Sequence, residues 1–237
     1  MEIIKKYKEL ENVTMSPTKR ASAKNDYFAF YVGRPLSYLL TIPFLNSKIT
    51  PNQISYLSIV PLFIGFGLMS CSTSKGYLIL AWAMFFLWNL LDGVDGNLAR
   101  YRKQFSKDGS VIDAMAGYAA MVLVYFAAGI AAAHLTGQNI YIILGSFSGI
   151  FQIFPRLIMH KYINTVGLNT ASSDIKDKSS FGPVKVFALN MTSIAGLPQF
   201  FLLIAIVFNF LPIFTTFYFI VNVTVMFVSL HSLLFRT

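Results

Sequence analysis

The sequence predicts an all-α integral membrane protein, with six transmembrane helices preceded by an amphipathic interfacial helix. Three observations predict it. Of 237 residues, 55% are hydrophobic and only 12% are charged, and the mean hydropathy is +0.60, too apolar a balance for a water-solvated domain. Apolar runs able to cross about 30 Å of hydrocarbon as helix, roughly 20 residues each, lie at residues 52–71, 76–96, 110–134, 139–160, 183–208 and 211–233. The third observation is the distribution of the nineteen Lys and Arg residues, which outnumber the ten acids and give a net charge of +9.

In chain order, residues 1–32 are expected to form a polar cytoplasmic N-terminal tail and residues 33–237 the six-helix membrane domain. The tail has scattered charges of both signs and no apolar stretch leading to a small-residue cleavage site, so it does not read as a signal peptide. Residues 34–55 (RPLSYLLTIPFLNSKITPNQIS) contain an apolar stretch too short and too broken by Pro35 and Pro43 to span. They read as an interfacial helix feeding the first crossing, which Pro51 opens. Eight cations precede the first span, four lie between spans two and three, five surround the connection between spans four and five, and one closes the chain. Only Lys75 falls on the opposite side, so both termini and the LDGVDG segment at 91–96 are expected on the cytoplasmic face. The polar stretch at 163–182 is expected to be a solvated cytoplasmic loop.

The same cations account for the basic charge without nucleic acid, because juxtamembrane Lys and Arg are attracted to anionic membrane lipids. They are strung along loops rather than gathered on one face, so no nucleic-acid partner is expected. Cys71 is the single cysteine, which excludes an intramolecular disulfide.

Against this apolar background, 91-LDGVDGNLARYRKQFSKDGSVIDAMAG-117 carries three carboxylates, Asp92, Asp95 and Asp113. On a helix, Asp92 and Asp95 project from neighbouring positions, and Asp92, Gly96 and Ala99 form a stripe of one acid and two nearly bare backbone positions. Such a stripe lets a bulky ligand lie close, and Arg100 offers a bidentate donor for phosphate. On the next helix Gly109, Asp113 and Gly117 repeat at four-residue steps, which lets Asp113 face the first two acids. Converging carboxylates near hydrocarbon need neutralisation by a proton, a cation or a metal. An all-oxygen set suits a hard divalent ion, Mg²⁺ or Mn²⁺, sharing its shell with substrate phosphates. Arg156, His160 and Lys161, near the cytoplasmic end of span four, are candidates for a pocket taking an anionic acceptor, beside the plainer reading of interface anchors.

The stretch resembles the signature of the CDP-alcohol phosphotransferase (CDP-alcohol phosphatidyltransferase) family, D-x-x-D-G-x-x-A-R followed after eight residues by G-x-x-x-D-x-x-x-D. Asp92, Asp95, Gly96, Ala99, Arg100, Gly109 and Asp113 fall in register, and the fourth Asp is replaced by Gly117. The resemblance implies metal-dependent transfer of a phospho-alcohol group from a CDP-alcohol to an acceptor hydroxyl, with release of CMP, in phospholipid or cell-envelope biosynthesis. It assigns Asp92, Asp95 and Asp113 to metal and Asp92, Gly96, Ala99, Arg100 and Gly109 to the CDP moiety. It implies two Mg²⁺ or Mn²⁺ sites, the second weakened here, partners of which one is lipid, and homodimerisation. The family's base position is Gly117, which leaves the catalytic base unassigned. Two other readings stand beside the transferase: a degenerate CDP-alcohol-binding scaffold, and a cation-coupled transporter using the acids as an ion site.

Overall fold

The computed structural model describes residues 2–106, 108–166 and 182–234, and among these the chain is helical with no strand. Helix α1 spans Glu2–Thr14 and α2 spans Pro17–Ala23. Ser16 caps α2 by accepting from the Lys19 backbone N–H at 3.3 Å, and Pro17 takes the first helical position, where a missing N–H costs nothing. A π-helical turn, Ala29–Gly33, leads into α3, Arg34–Thr41, and a 3-10 turn at Ile42–Phe44. The segment read as a polar tail is therefore ordered helix docked on the bundle. Leu10 is fully buried in a cluster with Tyr38, Ile54, Leu91, Val94 and Leu98, and the Tyr7 ring stands edge-on to Tyr38 at 5.5 Å. The sequence concealed this docking because one face of α1 is as charged as a tail while the other supplies only a few apolar contacts.

Helix α4, Pro51–Cys71, starts at a capping box in which Thr50 accepts from the Gln53 N–H at 3.3 Å and the Gln53 side chain accepts from the Thr50 N–H at 2.9 Å. That cap frees Asn52 and Ser55 for other partners. Helix α5, Lys75–Arg102, ends with Lys103 in the left-handed region at φ 54°. Helix α6 follows at Gly109–Thr136, then α7 at Ile140–Val166, α8 at Pro183–Thr192, α9 at Leu197–Val207 and α10 at Leu211–Leu234.

Five of these helices, α4 to α7 and α10, are long and apolar enough to cross a membrane. The fifth expected span, at 183–208, is the pair α8 and α9, bent by 53°, and counts as a sixth crossing only if the two halves are taken as one span. The expected continuous span at 183–208 breaks because Ser193–Gly196 leave the helix and Pro198, which lacks an N–H, restarts it. Helix α7 runs on to Val166, past the expected start of the loop at 163, while the loop's remainder at 167–181 lies outside the described residues.

The main core joins Leu62, Phe85, Trp88, Val124, Tyr125, Leu202 and Tyr218 along the bundle axis. Its tightest seam is α6 against α7. A Cβ on Gly145 would sit 2.8 Å from Gly129 Cα, and one on Gly149 would sit 2.8 Å from Val122 Cα. Small residues at such crossings let backbones touch where no hydrophobic effect drives helices together. Large apolar side chains such as Phe63, Ile64, Phe217 and Phe227 point outward, as lipid-facing surfaces of membrane helices do.

Candidate functional site

Helix α4 packs against both α5 and α6 and acts as a wedge, so the carboxyl-bearing end of α5 and the first turns of α6 diverge around it. The cleft between them is a cavity of about 360 Å³. Asp92, Asp95, Gly96, Ala99, Arg100, Gly109 and Asp113 all line it, joined by Asn52 and Ser55 of α4 and Ser106 of the connecting loop.

Each wall has a local cause. Asp95 is 6% exposed, and the Ser55 hydroxyl donates to its carboxylate. Asp92 and Asp113 reach across the cleft to within hydrogen-bonding range of each other. The Arg100 guanidinium lies back over its own helix, where a Cβ on Gly96 would stand 3.0 Å from it, and donates to the Asn97 side-chain oxygen at 3.2 Å. Ser106 donates to Asn52 at 3.1 Å and accepts from the Gly109 N–H at 2.9 Å, which fixes the start of α6 against α4. Behind the cavity, Arg102 donates to the carbonyls of Phe44, Ser47 and Ile49 at 2.5, 2.6 and 2.6 Å, binding the end of α5 to the turn before α4. The planar guanidinium serves several carbonyls at once, which an ammonium could do only with poorer geometry.

None of the three carboxylates has an ion-pair partner among the described residues, where the ion pairs are Lys6–Glu2 and Arg20–Glu11. Three oxygen-donor side chains on one cavity, without a paired cation, match the donor chemistry of a hard divalent ion. They do not close on one point: among the described residues no group of three or more His, Cys, Asp or Glu has metal-holding spacing. The reason is visible in the pairing, since Asp92 and Asp113 meet each other while Asp95 turns to Ser55.

Gly117 lies one turn beyond Asp113, and a Cβ built on it would meet nothing within 4 Å. Arg156, His160 and Lys161 are exposed on α7 and line neither this cavity nor the one behind α5. His160 is instead within 3.0 Å of the Tyr118 hydroxyl. Ser55 is a site residue that sequence reasoning missed, because nothing in the sequence links it to an acid forty positions away. Lys19 and Arg34, which line a cavity on the other side of α5, were likewise invisible as site residues, Lys19 lying in the expected tail and Arg34 at the start of the expected interfacial helix.

A family model described as CDP-alcohol phosphatidyltransferase matches residues 48–230, most of the chain, starting just before α4. No curated protein matches the chain.

Proposed function

The chain belongs to the CDP-alcohol phosphatidyltransferase family, and from that premise we propose that it transfers the phospho-alcohol group of a CDP-alcohol to an acceptor hydroxyl and releases CMP. The family makes it a membrane-embedded transferase of lipid synthesis. One observation carries the finer reading: all seven matched motif positions, spread over two helices, line a single cavity. In this reading Asp92, Asp95 and Asp113 hold divalent metal, and Gly96, Ala99, Arg100 and Gly109 admit the nucleotide diphosphate. Mg²⁺ or Mn²⁺ bound there would neutralise the diphosphate and polarise its phosphoryl oxygens.

The residues themselves do the positioning. Gly96 and Ala99 leave the α5 backbone open to close approach, Arg100 supplies a forked donor for phosphate, and Ser55 orients Asp95. The acceptor oxygen attacks the phosphorus bearing the alcohol, the bond from that phosphorus to the oxygen bridging to CMP breaks, and the hydroxyl proton leaves as the phosphodiester forms. Position 117, where the family places a fourth carboxylate, has no side chain to take that proton, and its absence typically costs about 10² to 10⁴ in rate. The empty space at Gly117 favours a second reading, in which the chain binds CDP-alcohol without turning it over. By charge asymmetry the site and both termini face the cytoplasm.

The test is CMP release by purified protein in mixed lipid with Mg²⁺ or Mn²⁺, across a panel of CDP-alcohols and acceptors. Release that disappears in Asp113→Ala supports an active transferase using another proton acceptor. Release only after Gly117→Asp supports an intact site without its base, and metal-dependent CDP binding without release supports the scaffold. Absence of both release and CDP binding in either form sinks the family-based reading of the cavity and leaves a cation site to be tested.

A further inference from the structure

Three buried polar side chains, Tyr125 of α6, Gln152 of α7 and Asn222 of α10, are 1%, 9% and 1% exposed, and each lies near the middle of its membrane-crossing helix. They meet because α10 packs against both α6 and α7. The Gln152 amide nitrogen donates to the Thr192 carbonyl at 2.6 Å, at the end of α8 where the fifth span breaks. The Asn222 amide nitrogen donates to the Ser148 hydroxyl at 2.8 Å and to the Ser148 carbonyl at 3.4 Å. A backbone carbonyl can only accept, so each amide is fixed with its nitrogen toward that carbonyl and its oxygen turned away. The Tyr125 hydroxyl lies within reach of both amide groups. Yet Tyr125 Oη, Gln152 Oε1 and Asn222 Oδ1 are all buried, and none closes a hydrogen bond of good geometry. Neighbouring hydroxyls do not serve them. Tyr218, whose ring stands 5.4 Å from that of Tyr125, and Thr215 are also buried and make no such bond.

Counting protons shows what completes the group. Two amide oxygens need two donated protons, and Tyr125 has one, so aiming it at either amide leaves the other oxygen bare. Hydrocarbon supplies no donor, and a bare acceptor buried there is costly. One water molecule balances the count by donating to Gln152 Oε1 and to Asn222 Oδ1 and accepting from the Tyr125 hydroxyl. Three hydrogen bonds is the usual number for a buried water. A cation does not fit, because it offers no acceptor for the Tyr125 proton and finds no counter-charge. Helices α7 and α10 carry no acid, and the single acid of α6, Asp113, lies more than three turns from Tyr125. We infer that Tyr125, Gln152 and Asn222 form a binding site for one structural water, which ties α6, α7 and α10 together in the bilayer. Through Gln152 the tie extends to the end of α8. The break in the fifth span is thus held from two sides, since Asn89 of α5 donates to the Ala195 carbonyl at 3.1 Å. This site is independent of the transferase reading.

Oxygen-17 magnetic relaxation dispersion of the full chain in detergent micelles counts internal waters of long residence. The wild type is expected to hold one more such water than Gln152→Met, which keeps the side-chain volume and removes the acceptor. Tyr125→Phe deletes only the hydroxyl, so the two amide oxygens still hold the water, and its residence time is expected to fall about tenfold with the lost hydrogen bond. Superimposable profiles for the wild type and Gln152→Met overturn the inference, and so does a residence time unchanged in Tyr125→Phe, which places the water elsewhere. Should Gln152→Met fail to fold, wild-type crystals grown in lipid and diffracting to about 2 Å decide: density within about 3.2 Å of Tyr125 Oη, Gln152 Oε1 and Asn222 Oδ1 keeps the site. A Tyr125 hydroxyl bonded directly to one amide, with no density at the other, removes it. Neither readout involves nucleotide or divalent cation, so failure of CMP release and failure of this site are separate results.

Discussion

Three side chains, Lys19, Arg102 and Asn190, show how much a single residue decides. Lys19 has its ordinary value of 10.5 pushed down to about 8, first by burial and then by Arg100 and Arg34. Below about 8 it is charged in both folded and unfolded chains, so the penalty for holding that charge is fully present. Between about 8 and 10.5 the unfolded chain binds the extra proton, and stability of the ligand-free protein therefore rises with pH. Unfolding in detergent measured from pH 7 to about 9.5 should show that rise, while Lys19→Arg stays flat. Arg102→Lys should loosen the turn between α3 and α4, because one ammonium cannot serve the carbonyls of Phe44, Ser47 and Ile49 together. Faster amide exchange over residues 44–50, with α6 and α7 unchanged, is the expected signature. Asn190 is 2% exposed and links α8 to the N-terminal segment, accepting from the Tyr27 N–H at 2.8 Å and donating to the Asn25 carbonyl at 2.7 Å. Asn190→Ala strands those groups, and about 1–3 kcal/mol of stability should be lost in detergent unfolding.

Between elements, the decisive quantity is how closely two helices approach. The α6–α7 seam leaves no room for a side chain at Gly145, where a Cβ would stand 2.8 Å from Gly129 Cα and 2.5 Å from the Tyr125 carbonyl oxygen. Gly145→Leu should force the helices apart and cost about 1–3 kcal/mol or more, seen as a lower unfolding temperature. Gly67→Ala on α4, where a Cβ meets nothing within 4 Å, should be neutral or slightly stabilising and serves as the control. Helix positions were readable because a crossing needs an apolar run of known length, and the motif's spacing put the acids on facing helices. The break of the fifth span was less legible: Gly196 and Pro198 are both in the sequence, but a proline inside α4 and another inside α7 leave those helices continuous. What distinguishes the fifth is the packing of Asp26 against Gly196 and Ser193, a contact with the N-terminal segment that no local pattern announces.

For the molecule as a whole, the cytoplasmic placement of the site is a proposal that charge asymmetry supports. Cys71 is exposed at the end of α4 opposite the carboxylates, and as the single cysteine it reports orientation without background. A membrane-impermeant maleimide should label Cys71 from outside intact cells. In a Cys71→Ser background, Ala21→Cys on α2 should react only after permeabilisation. The reverse pattern would overturn the cytoplasmic placement of the site.

The sequence by itself determined the helical membrane class, the number of apolar runs and the motif that the family shares, because each depends on residue type and spacing along one chain. Only the tertiary structure decided that α4 wedges α5 from α6 to open the carboxylate cavity, that Ser55 holds Asp95, and that the apparent tail folds back to bring Lys19 and Arg34 against Arg100. These last are encounters between residues tens of positions apart, fixed by helix packing and burial rather than by any local propensity.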